Sequence, residues 1–357
     1  MKIIKRMLFL VVSICLIIAL VSCSAPAPAT TPATAPVPAP ASPKVLKLRL
    51  QTNVIPVETE KHYKPFADEV GKMTGGRISI EMFSMGQLLP LKEQLDAIAE
   101  GALDMGIASE GYYSGKVAVS EIASGLPYSF VTKYEADDFM FNHGFLEILQ
   151  EEYAKHNIRF MLGGGSGCGL MMNKLITKAS DFDGMKMRSF GAMADWLTKM
   201  GAKTTYIPGG ELYTALATGV VDGGHWGPPG PMYDMKFQEV LKFIIQPDPI
   251  AAQFKGLHIN LDLWKSLSPE DQAILTVAAE ATLNNRAVRT VKILDTMALQ
   301  SMANDFGVTI FAPPDEELGK MRQASMEVWE DLAKKEPVNA KVIAMLKDYL
   351  KELGYIK

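Results

Sequence analysis

The stretch Val45-Leu-Lys-Leu-Arg-Leu-Gln51 alternates apolar and polar side chains with the period of two that a half-buried strand requires, and the order of elements it begins decides the fold. Residues 60–73 carry Tyr63, Phe66, Ala67 and Val70 at helical spacing, and Gly75-Gly76 closes that helix. Alternation returns over 78–83, a second helix is predicted over 91–100 before Gly101, and 105–108 reads as a short buried strand. This β-α-β-α-β order predicts a mainly parallel, doubly wound sheet whose ligands sit beyond the carboxyl ends of its strands. A cleft is therefore expected near residues 109–116.

Toward the C-terminus a second lobe is expected to open at 159–162, continue through 170–173 and reach a strand over 185–190 after the Asp183-Gly184 turn. Ser268-Pro269-Glu270-Asp271 reads as a helix start, with serine as the cap, proline at the first helical position and acids in the first turn. No further proline interrupts the chain before about Asn304, so a long helix spanning both lobes is predicted. The expected division is 44–162 plus 252–290 for lobe I, and 163–251 plus 291–357 for lobe II with C-terminal helices.

The N-terminal segment indicates where such a protein works. Lys2, Lys5 and Arg6 precede an apolar run over 7–20 that is too short for an ordinary spanning helix, so 1–22 reads as an export signal. The run ends in Leu20-Val21-Ser22-Cys23, which resembles the lipobox of bacterial lipoproteins. Cys23 is then a lipid anchor; the alternative is an incidental residue near an ordinary cleavage site. Residues 24–43 are almost only Ala, Pro, Thr and Ser, a composition that cannot bury a core, and at about 3.1 Å per residue they would form a tether of roughly 60 Å. The expected location is extracytoplasmic, lipid-anchored in the periplasm or at the cell surface.

A net charge of −4 gives no electrostatic case for nucleic acid. Of three cysteines only Cys168 falls in the folded part, which leaves no internal disulfide and no Cys/His zinc site.

Several motifs in order, Gly184-Met-Lys-Met-Arg188-Ser, Met200-Gly-Ala-Lys, Gly210-Glu-Leu-Tyr through Val-Val-Asp222 and Lys236-Phe-Gln-Glu-Val, resemble the DctP-family solute-binding proteins of TRAP transporters. The resemblance extends over nearly all of 44–357. It implies a type II, two-lobe periplasmic-binding-protein-like α/β fold, each lobe a mixed, mainly parallel sheet flanked by helices. Tyr112-Tyr113-Ser-Gly-Lys116 and Asp222-Gly-Gly-His-Trp226-Gly-Pro look like the branch that binds 2-oxo and 2-hydroxy monocarboxylates. Members of that branch typically carry Glu immediately before the Trp and Gln in the loop matching 166–169, both implicated in a bound sodium or calcium ion. This chain has His225 at the first place and no Gln at the second, so no metal or other cofactor is expected. Glycines where a Gln is usual also suggest room for a larger acid, aromatic or branched.

Arg188 shares a strand face with Lys186, opposite Met185 and Met187. It reads as a solvated arginine from pattern alone and as the carboxylate clamp by resemblance, and a guanidinium fork suits a carboxylate bidentately. Trp226, between Gly223-Gly224 and Pro228-Pro229, reads as an indole over the ligand or as core. His225 would donate to a ligand oxygen, with affinity sensitive to pH near 6.5, or lie at the surface. One of Tyr112 and Tyr113 is expected to close onto ligand, with core packing as the alternative. Ser166 lies in Gly163-Gly-Gly-Ser-Gly167, taken as a lobe crossover lining the cleft because it lacks the ending of a phosphate loop. Asn260 matches a ligand-side asparagine of the family, with hinge or cap as alternatives. Glu211 and Asp222 are expected to be structural.

The resulting expectation is a non-enzymatic receptor that captures a small organic carboxylate and delivers it to TRAP membrane permease subunits. A lipoprotein sensor acting on a membrane receptor is the alternative. A secreted hydrolase or lyase is disfavoured by five histidines and no nucleophile-elbow or zincin motif. The amphipathic spacing over 338–353 would serve a homodimer through the C-terminal helix, or packing on its own lobe.

Overall fold

The computed structural model describes residues 45–356, and among these no helix is long and apolar enough to cross a membrane. The export signal, Cys23 and the tether lie outside the described residues.

Strand β1 (Leu46–Thr52) buries Leu48 and Leu50 and exposes Lys47 and Arg49, and it pairs in parallel with β2 (Ile78–Phe83) and β3 (Met105–Ser109). The helix between β1 and β2 starts at Pro56, four residues earlier than expected, because proline suits the first helical position. It continues through a π turn, Thr59–Tyr63, into Lys64–Met73. Phe66, Ala67 and Val70 form its buried face, and burial of Phe66 and Val70 stabilises the fold by about 1.5–3 kcal/mol each. Gly75 and Gly76, both at positive φ, end it, and the Gly76 N–H donates to the Gly71 carbonyl.

Two mixed sheets result. The first runs β2-β1-β3-β10-β4, with β4 spanning Ile158–Cys168 and β10, Ile250–Asn260, antiparallel to both of its neighbours. Residues 159–162, expected to open a second lobe, are thus an interior part of a strand of the first sheet. The Gly-rich run 163–167 belongs to the same strand, and it is the β10 partnership that turns an expected loop into a strand.

The second sheet runs β11-β9-β5-β8-β6-β7. Its strands are three residues each: β5 (Leu170–Met172), β6 (Lys186–Arg188), β7 (Lys203–Thr205), β8 (Gly223–His225), β9 (Phe243–Ile245) and β11 (Thr309–Phe311). Asp222 serves structure, its carboxylate accepting from the Lys186 N–H at 2.8 Å and from the Asn173 amide at 3.3 Å. Glu211 sits in the first turn of the helix Gly209–Ala217.

The chain passes between the sheets at 168–170 and 245–250, and a third time through an unbroken helical run over 269–306. Ser268 caps that run by accepting from the Asp271 N–H. Pro269–Ala279 packs on Lys64–Met73 and β4, a π segment follows over Glu280–Arg286, and Ala287–Phe306 packs beside Pro229–Asp234 and β11. The helix therefore does span both sheets. The final helix, Pro337–Glu352, buries Val342, Ile343, Leu346 and Leu350 within its own chain, with Tyr349 against Phe139 and His143.

At Gly163 the two crossing strands touch backbone to backbone. A Cβ there would lie 2.7 Å from the Leu257 nitrogen and 2.9 Å from the Gly256 carbonyl carbon, beside a register shift in β10. Replacement of Gly163 by alanine is expected to destabilise the protein by roughly 1–3 kcal/mol. Gly210→Ala, in a helix where an added Cβ meets nothing within 4 Å, is expected to be neutral or to stabilise by about 0.5–1 kcal/mol. Denaturant unfolding of both variants checks the contrast.

Candidate functional site

The carboxyl ends of parallel strands supply the polar groups of one cleft, as a doubly wound sheet requires. Asn53 follows β1 and Ser109 ends β3 in the first sheet, while Arg188 ends β6 and His225 ends β8 in the second. The Gly163–Ser166 part of β4 runs along the cleft, and Leu283 and Val291 of the long helix also reach it. Space for water-molecule centres amounts to about 80 Å³.

Arg188 is 0% exposed. Its Nε donates to the Ile207 carbonyl at 3.1 Å and its Nη1 to the His225 carbonyl at 2.8 Å, while Nη2 is buried without a partner. Phe190, Trp226 and Tyr206 surround the guanidinium carbon at 4.9, 5.0 and 5.9 Å. A fixed cation with an unanswered Nη2 is suited to receive an anion. Trp226 both lines the cleft and packs on Phe237.

His225 is buried, with Nδ1 2.7 Å from the Ser189 hydroxyl. Burial, then the adjacent Arg188 charge, holds its pKa well below the usual value. The pH sensitivity near 6.5 expected of it is therefore corrected: this imidazole stays neutral through that range.

Of the two tyrosines, Tyr112 lines the cleft and stacks on Phe190 of the other lobe at 4.7 Å and 21°. Tyr113 is wholly buried elsewhere, edge-on to His258 at 5.1 Å, because the short 3-10 turn Glu110–Tyr113 directs the two side chains apart. Ser166 lines the cleft. Asn260 does not: its Oδ1 accepts from the Leu263 N–H and its amide donates to the Ile98 and Ala99 carbonyls, so it caps the helix Leu261–Ser266. Cys168 is buried, its thiol donating to the Trp226 carbonyl, and burial pushes its pKa up.

Several cleft residues escaped the sequence reading. Glu58 and His62 come from the first turns of the helix after β1, and Gln253 and Lys255 from β10. The signal for the last two was present: they interrupt an apolar run two residues apart and so share a strand face. Lys255 Nζ donates to the Tyr63 hydroxyl at 2.9 Å. Burial opposes its charge, but Tyr63 and Glu58 outweigh burial and its pKa rises, so it is an ammonium at neutral pH. Burial pushes the Glu58 carboxyl up to about 7 against the pull of Lys255, and burial with Lys255 and Lys61 pushes His62 down to about 4.

Among the described residues no group of three or more His, Cys, Asp or Glu could hold a metal ion. The donors that do line the cleft fit a hard cation poorly. Glu58 is the one carboxylate among them, its pKa pushed up to about 7, the imidazole of His225 stands where the resemblance expects an acid, and Arg188 and Lys255 repel a further cation.

The family model for bacterial extracellular solute-binding protein, family 7 (DctP), matches residues 44–336. The chain is 28% identical over 296 residues to the monocarboxylate 2-oxoacid-binding periplasmic protein all3028 of a Nostoc species, covering 80% of this chain and 79% of that protein. Its fold matches a TRAP periplasmic solute-binding protein of Colwellia psychrerythraea with bound calcium and pyruvate, at a TM-score of 0.79 and 26% identity over 87% of this chain and 95% of that one. It also matches a TRAP solute-binding protein of Pseudoalteromonas atlantica with bound sodium and pyruvate, at 0.80 and 25% over the same shares.

The raised carboxyl of Glu58 sets a pH dependence. Ionised above about 7, it opposes an incoming anion; protonated below, it leaves the positive charges of Arg188 and Lys255 unopposed. Affinity for an organic anion is expected to rise roughly threefold to tenfold from pH 8 to pH 6, and Glu58→Gln to flatten that profile. Titration calorimetry across that range checks it, His62 staying neutral throughout.

Proposed function

The chain belongs to the DctP family, the solute-binding proteins of TRAP transporters, and on that basis we propose that it captures a short 2-oxo or 2-hydroxy monocarboxylate and delivers it to the membrane permease. Proteins of this family are extracytoplasmic receptors of transporters and not enzymes. The observation that carries the proposal is Arg188, a fully buried guanidinium with an unanswered N–H in a cleft of small volume. The carboxylate takes that N–H, with Trp226 and Tyr112 over the ligand and Ser166 beside it.

A short acid is favoured over an aromatic or branched one. The room left by glycine at the usual glutamine position is met by Gln253, which faces Ser166 from β10 and lines the same cleft. Closure is supported by contacts between lobes: Tyr112 on Phe190, Lys92 Nζ 4.0 Å over the Tyr206 ring, and Lys61 paired with Asp234 at 3.0 Å. A half-exposed pair such as the last is worth little in itself and breaks easily, as a reversible hinge requires. The proposal includes Cys23 as the lipid anchor, on its sequence pattern. It needs no second copy of the chain, since the apolar face of Pro337–Glu352 is covered from within.

Thermal melting against a panel of short organic acids tests this. A 2-oxo or 2-hydroxy acid is expected to raise the Tm of the wild type, and Arg188→Ala to lower affinity by at least a hundredfold, in keeping with about 3 kcal/mol or more for a desolvated charge pair. Arg188→Lys is expected to recover little, because an ammonium cannot reach the Ile207 and His225 carbonyls and the ligand together. Shifts unaffected by Arg188→Ala would sink the clamp.

A further inference from the structure

The structures similar to this one that hold pyruvate also hold sodium or calcium, whereas the donor set of this cleft is unfit for either ion. A 2-oxo acid presents two oxygen groups, a carboxylate and the 2-oxygen, and the unpartnered Nη2 of Arg188 is assigned to the carboxylate.

Lys255 offers the second cation. It stands on β10 in register with Ser109, lines the cleft, and gives one of its three ammonium donors to the neutral Tyr63 hydroxyl. Two donors remain for a ligand. Arg188, Lys255 and Cys168 line the same cleft, and both charges reach the Cys168 thiol. The hydrogen-bond acceptor of this part-buried ammonium is a hydroxyl and not a carboxylate, which leaves its remaining donors free to take an acceptor from the ligand. Asn53 Oδ1 and the Ser109 hydroxyl, also buried and without partners, share that side of the cleft.

We propose that Lys255 reads the ligand's 2-oxo or 2-hydroxy oxygen, supplying from the chain itself the positive charge that a bound metal ion brings in the related proteins, so that capture by this protein is independent of metal. The proposal rests on the capture reading above and deepens it. It makes Lys255 the residue that separates 2-substituted acids from plain ones, and Arg188 the residue common to both.

The test uses the full chain, stripped with a chelator and held in sodium-free buffer, titrated with pyruvate and with propionate, which lacks the 2-oxygen. Wild-type affinity for pyruvate is expected to change less than twofold on addition of sodium or calcium. Lys255→Met is expected to weaken pyruvate roughly tenfold to a hundredfold and propionate less than threefold, while Lys255→Arg, which keeps a donor, retains part of the preference for pyruvate. Circular dichroism and melting of each variant separate lost binding from lost folding. Pyruvate binding that requires sodium or calcium overturns the inference and leaves the capture reading standing, provided Arg188→Ala still abolishes it. Equal loss of both acids in a folded Lys255→Met protein also overturns the inference, and failure of every acid to bind wild type overturns both.

Discussion

Taking a guanidinium out of water costs several kcal/mol unless its N–H groups are answered, and the placement of Arg188 governs its surroundings. Two of the answers are backbone carbonyls, Ile207 just beyond β7 and His225 at the end of β8. Neither carbonyl can be supplied unless β6 lies between β8 and β7, as it does. Three aromatic rings then exclude water from the remaining faces. The strand order of the second sheet is thus bound up with the site: a sheet of three-residue strands holds a cation rigidly because the cation ties the strand ends together.

The first lobe meets this fixed charge with a softer surface. Glu58, His62 and Tyr63 come from a helix that begins at proline and passes at once through a π turn, which shifts side chains off the regular helical faces. A second π segment, packed against the first, brings Leu283 to the cleft, and the Asn284 amide donates to the Leu162 carbonyl of β4. Irregular helix geometry is thus concentrated on one side of the cleft, while the helix faces toward the core keep ordinary packing. Lys255 and Glu58, both on the first lobe, influence each other through space, which makes the charge of that side of the cleft adjustable.

Local rules served well where local physics decides structure. The alternation over 45–51 and 78–83, the apolar spacing of Phe66 and Val70, and the Ser268 cap all fall where the sequence placed them, since each depends on neighbours within one or two turns. Arg188 was legible for a different reason: a resemblance pointed to it, and only the structure shows its free N–H. The glycines at 163–167 misled because extended backbone with no side chains reads as loop until β10, about ninety residues later, is laid beside it. The two tyrosines were inseparable by pattern, since a 3-10 turn rather than a strand or helix sets their directions. Glu58 and His62 were hidden in a helix whose start and π turn no spacing rule anticipates. Tyr112 on Phe190 is a contact between lobes, which single-element periodicity does not reach.

The glycine strand also limits how such a receptor could be retuned. Gly163 is pressed against the backbone of β10, Gly164 holds a φ of +119°, a Cβ on Gly165 would sit 3.1 Å from the Phe254 ring, and one on Gly167 would strike the Asp248 carboxylate. Ser166 alone among the five carries a side chain into the cleft. Along this wall, diversification of ligand size, whether by drift between related bacteria or in a library built for a biosensor, has one rung of the strand to work with.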